Sequence, residues 1–163
     1  MLIVTTNAIP AASDAAAMEG WAEPRVLVVL PASGWTEAEL TAIQSRATVI
    51  EYLQPRATFS ALMGDVQDMM RQTVRPVTGP LLFLDTPPVG DLSIAAQAQA
   101  AAGAPYGITA DVGGDGRMKR LLLGEMVATS PLLPQLLDHL ARREVDDTRF
   151  AQALRTPFLQ APA

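Results

Sequence analysis

The sequence predicts an α/β fold: a three-layer sandwich with a mainly parallel sheet of about five strands and a helical C-terminal extension. Two observations carry that prediction. Short apolar runs without alternation, such as Val26–Leu30 and Leu81–Leu84, read as strands buried on both faces. Between them lie stretches with helical spacing or capping residues, and strands alternating with helices imply crossover connections in one sheet. A chain of 163 residues fits one domain. Residues 1–112 are expected to form the sheet, 117–155 the C-terminal helices and 156–163 an extended tail.

In chain order, Leu2–Thr5 is a first short strand running into Thr6 and Asn7. Ser13 to Glu19 reads as a short helix stopped by Gly20. Arg25–Leu30 is a second strand ended by Pro31. Thr36 and Glu39 form a capping box that opens the next helix. Thr48–Leu53 is a third strand, less apolar and so nearer an edge. Phe59, Leu62, Met63, Val66, Met69 and Met70 recur at helical spacing and mark an amphipathic helix. Leu81–Leu84 follows between Gly79-Pro80 and Pro87-Pro88, and Asp91 is placed to cap an alanine-rich helix that Gly103 ends. Tyr106–Asp111 is the fifth strand. Arg117 to Val127 reads as helix in preference to the return arm of a hairpin. Ser130-Pro131 opens a helix with Leu132, Leu133, Leu136, Leu137 and Leu140 on one face. Asp146 or Asp147 caps the last helix.

Composition excludes several chemistries. There is no cysteine, so thiol catalysis, thiolate metal sites and disulfides are absent. The formal net charge of −5 points to neither nucleic acid nor an anionic membrane as partner. No apolar run approaches the roughly 20 residues of a membrane span, and the N-terminus lacks the features of a secretory signal, so a cytoplasmic location is expected. His139, the single histidine, lies in the Leu-rich helix and cannot build a His-rich zinc site. The dinucleotide fingerprint G-x-G-x-x-G and the nucleophile motif G-x-S-x-G are also missing.

A site is predicted by geometry alone, because open α/β sheets bind ligands at the carboxyl ends of their strands. Those ends offer Asn7, Ser33, Arg56, Asp85, Thr86, Asp111 and Asp115 as candidate ligand-binding residues. Asp85 and Asp111, expected on adjacent strands, are a candidate carboxylate pair for Mg²⁺. An aspartate after a strand also commonly caps a turn, and Gly113–Gly116 reads as a tight turn. Leu81–Leu84 followed by Asp85-Thr86-Pro87-Pro88 resembles the Walker-B strand of the ParA/MinD family of P-loop ATPases. That resemblance implies that Asp85 would organise Mg²⁺ and the attacking water. The chain departs from the family in lacking a Gly-rich, lysine-bearing phosphate loop after its first strand, so ATP hydrolysis does not carry over.

Without a catalytic set, the sequence points to a non-catalytic protein–protein interaction or assembly module on a Rossmann-like or flavodoxin-like α/β domain. Its partner would be another copy or another protein, and the candidate contact residues are Met69, Met70, Phe158 and Leu159. The alternative is a small-molecule or Mg-binding domain, or a divergent enzyme, with its site at Asp85 and Asp111.

Overall fold

A computed structural model of the chain describes residues 2–5, 26–29, 49–54, 56–71, 79–85 and 90–159, without the side chains of 26–29, 49–52, 158 and 159. Six strands form one sheet: β1 (Leu2–Thr5), β2 (Val26–Val29), β3 (Val49–Tyr52), β4 (Leu81–Leu84), β5 (Ile108–Val112) and β6 (Met118–Leu123). Their spatial order is β3-β2-β1-β4-β6-β5. β1 pairs in parallel with β2 and with β4, and β2 with β3. β6 runs antiparallel to both β4 and β5.

The sheet is therefore mixed, and the mainly parallel five-stranded sandwich expected from the sequence does not form. Among the four strands whose side chains are described, β1, β4, β6 and β5, one junction is parallel and two are antiparallel. The cause lies at Gly113–Gly116. Gly116 takes φ 77°, a left-handed value open to glycine. The Gly113 amide donates to the Arg117 carbonyl at 2.8 Å, which closes a tight turn and sends the chain back along β5. Residues 118–123 are thus the return arm of a hairpin, and not part of the expected helix.

Among the described residues five helices accompany the sheet: α1 (Phe59–Arg71), α2 (Ile94–Gly103), α3 (Glu125–Ala128), α4 (Leu132–Arg143) and α5 (Asp147–Leu159). Alternation along the strands sorts their side chains. Leu2, Val4, Leu81, Phe83, Leu121 and Leu123 join a core with α1, α4 and α5. Ile3, Leu82, Leu84 and Leu122 alternate with them and are buried on the opposite face, where α2 approaches β6. Phe59 sits at the centre of the first core, edge-on to Phe83 (centroids 4.6 Å apart) and to Phe150 (4.9 Å). Gly64 lets α1 and α4 close up, because a Cβ there would stand 2.8 Å from Ala141 Cβ.

Local signals placed several boundaries. Ser93, and not Asp91, caps α2 through a 3.2 Å bond from the Ala96 amide, after a 3-10 turn at Gly90–Leu92. Leu133, Leu137 and Leu140 are buried as the heptad-like spacing requires, whereas Leu132 is exposed. α5 continues through Pro157 to Leu159, so the first residues of the expected extended tail are helical. The helix expected at Ser13–Glu19 and the capping box at Thr36 and Glu39 lie outside the described residues. Among the described residues no helix is long and apolar enough to cross a membrane.

α4 ends on Glu144 at φ 48°, ψ 45°, a left-handed conformation in which its Cβ crowds its own carbonyl. Glu144→Gly should stabilise the fold by about 1 kcal/mol, read as a higher midpoint in urea denaturation with unchanged slope.

Candidate functional site

β1 lies between β2 and β4, and the connection from β3 returns across it to β4. The strand order therefore reverses between β1 and β4, the place where open α/β sheets present a crevice at their carboxyl ends. Beside it lies a pocket of about 130 Å³, space for roughly four water molecules or one small side chain. Phe59, Leu62 and Phe83 form its apolar floor, and Arg56, Asp85 and Arg117 lie at its rim. Two of the residues picked out by the strand-end rule, Arg56 and Asp85, thus share one pocket.

The side chain that builds this corner is Asp147. Asp146 caps α5, its carboxylate accepting the Arg149 amide at 2.8 Å. That leaves Asp147, the next residue, to reach across the molecule. One of its oxygens accepts the Phe59 amide at the start of α1 at 3.0 Å, and the other accepts the Met118 amide at the start of β6 at 2.7 Å. Thr58 Oγ1 accepts the Ala61 amide at 3.2 Å and completes the α1 cap. Ser60, fully buried, donates to the Val145 carbonyl at 3.1 Å and ties the same two segments together.

Lys119, the sole lysine, occupies a bulge. Asp111 faces Arg120 while Val112 faces Met118, so β6 carries an extra residue there. Its ammonium stands 3.1 Å from Asp115 and 3.9 Å from Asp85. Asp115 Oδ1 also accepts the Arg117 amide, and this bond, followed by the Lys119 ammonium, lowers the Asp115 pKa below the ordinary carboxylate value. Asp85 continues the β4–β6 ladder, its amide donating to the Lys119 carbonyl at 2.8 Å.

Asp85 and Asp111 do not meet as the sequence suggested. β6 separates their strands, a spacing of roughly 10 Å. They also face opposite sides of the sheet. Asp85 lines the pocket with Phe59 and Phe83, whereas Asp111 pairs with Arg120 at 2.7 Å. Arg120 in turn donates to Gln97 of α2 at 3.3 Å. Among the described residues no group of three or more His, Asp or Glu side chains could hold a metal ion. Met69 and Met70 are half-buried against the core. Asn7, Ser33 and Thr86 lie outside the described residues, as do the side chains of Phe158 and Leu159.

Sequence reasoning missed Lys119, Arg117 and the reach of Asp147. Only the hairpin brings Lys119 and Arg117 to the carboxyl edge, and an aspartate at a helix start reads locally as a cap. No protein-family model matches the sequence, and no curated protein matches it either.

Two outcomes follow from this geometry. Asp147→Ala leaves the Phe59 and Met118 amides without their acceptor, and should cost roughly 2–4 kcal/mol in denaturant unfolding. Lys119→Met should raise the Asp115 pKa toward its ordinary value in a carbon-detected NMR titration. Because the folded pKa of Asp115 is depressed, its contribution to stability is full above the unfolded value of 3.8 and is lost as pH falls through the lowered one. An unmoved Asp115 titration in Lys119→Met would show that the turn amide alone holds the shift.

Proposed function

We propose that this chain is a non-catalytic interaction module that associates with further copies of itself. The observation that carries the reading is the exposure of large apolar side chains, two of them around the start of β5 and one at the start of α4. Tyr106 is 72% exposed, Met126 48% and Leu132 53%, in a protein whose other described large apolar side chains are largely withdrawn from water. Tyr106 and Met126 belong to one surface, because the Met126 amide donates to the Pro105 carbonyl at 2.9 Å. The state of the acids supports the same reading. Asp147, Asp111 and Asp115 each serve as acceptors for internal donors, and Asp85 stands beside the Lys119 ammonium. A general acid or base needs a proton-transfer partner in a ligand, and these carboxylates are engaged with the fold.

Sedimentation equilibrium over a wide concentration range tests the reading. A mass rising reversibly with concentration, and reduced by Tyr106→Glu without loss of thermal stability, is the expected result. A strictly monomeric wild-type chain at every concentration would sink it.

The pocket at Arg56, Asp85 and Arg117 favours a second reading, a small polar ligand at the strand ends. Its apolar floor and mixed-charge rim suit a compact group bearing a carboxylate, such as an amino acid. A thermal shift with free amino acids that Arg117→Ala and Asp85→Asn both abolish would support it, and no shift in the wild type would remove it.

A further inference from the structure

β5 is the last strand of the sheet, and its outer edge is the surface whose chemistry is most fully defined. The Gly124 amide donates to the Gly107 carbonyl at 2.9 Å, which makes Gly107 and Gly124 a hydrogen-bonded pair of the antiparallel ladder. Alternation then turns the amides and carbonyls of Thr109 and Asp111 toward β6, and those of Ile108 and Ala110 outward. The one described contact to this outward row agrees with that phase. Arg155 of α5 donates from Nη2 to the Ala110 carbonyl at 3.4 Å. Among the described residues Arg155 makes no ion pair, so this carbonyl is the partner that the structure gives its guanidinium.

We infer that two copies of the chain join through their β5 edges in antiparallel register centred on Thr109, and that Arg155 guards this edge by occupying the carbonyl the second copy needs. The inference rests on the self-association proposed above and names its surface. The register is self-complementary. Across the two-fold axis the outward amides of Ile108 and Ala110 meet the outward carbonyls of Ala110 and Ile108 of the second copy. Thr109 faces Thr109 of the second copy, a favourable cross-strand pair. Asp111 faces Gly107 of the second copy, so no like charges are opposed, and Asp111 is already neutralised by Arg120. Tyr106, exposed in the turn that precedes the strand, stands at the end of this ladder. An unguarded edge would pair with any extended chain, and natural sheets cover such edges with charged side chains and bulges. On β5 the charge is supplied by Arg155.

The test uses the full chain and compares dimerisation by sedimentation velocity. Arg155→Ala should dimerise roughly tenfold more tightly than wild type, since the blocking hydrogen bond is gone. In that background Thr109→Lys and Thr109→Glu should each be monomeric, because two like charges face each other across the two-fold axis at roughly 5 Å. Mixing the two should restore dimers that contain one of each, which misfolded variants cannot do. A dimer unaffected by Arg155→Ala, or by either charge at Thr109, would overturn the edge while leaving association through another surface standing. Failure of wild type and Arg155→Ala alike to associate would overturn both.

Discussion

A single carboxylate holds the sheet to the helices that cover it. Asp147 lies in the first turn of α5 and accepts the leading amides of α1 and of β6, elements far from it and from each other in sequence. Helix starts leave amides without intrahelical partners, and the first amide of a strand can fall beyond the end of its ladder. Both kinds of orphan are satisfied here by one side chain, which also brings a negative charge to two helix N-termini. The aromatic cluster depends on the same junction. Phe59, whose amide Asp147 holds, packs edge-on against Phe83 of β4 and Phe150 of α5. Backbone anchoring and side-chain packing therefore converge at one residue, and the pocket at the carboxyl edge is the space left beside them.

The second organising feature is the hairpin. A sheet built only from crossovers would have ended at β4 with its carboxyl edge lined by strand ends. β5 and β6 extend it instead and carry Lys119, Arg117 and Arg120 to the side chains that sequence reasoning had picked as acids. Each acid then finds a cation: Asp85 and Asp115 share Lys119, and Asp111 takes Arg120. Exposed pairs of this kind contribute little stability individually. Their effect is on the local field, because each of these carboxylates stands beside a cation of the hairpin.

Much of this was legible locally. β1, β4 and β5 were readable as strands, and α1 as the apolar stripe from Phe59 to Met70, because burial on two faces or on one stripe leaves a pattern in the sequence itself. The turn at Gly113–Gly116 was legible as well. What followed it was not. Met118-Lys-Arg-Leu-Leu-Leu123 lacks clean alternation, since β6 is central, buried on both faces at its end and bulged at its start. That ambiguity hid the antiparallel half of the sheet, and with it the true neighbours of Asp85 and Asp111. The junction at Asp147 was illegible for a related reason: a cap and a long-range anchor use the same residue type at the same helix position, and only the tertiary fold distinguishes them.

The contact between Arg155 and Ala110 joins residues 45 positions apart in the chain. As the polypeptide leaves the ribosome, β5 and β6 emerge before Arg155 does, so their hairpin can close first. For that interval the outer row of β5 is bare while neighbouring nascent chains on the same message present the same row. Order of synthesis thus sets a window in which edge pairing between chains is at its least restrained. The last helix ends that window as it docks, and a chain stalled or cut before residue 155 never leaves it.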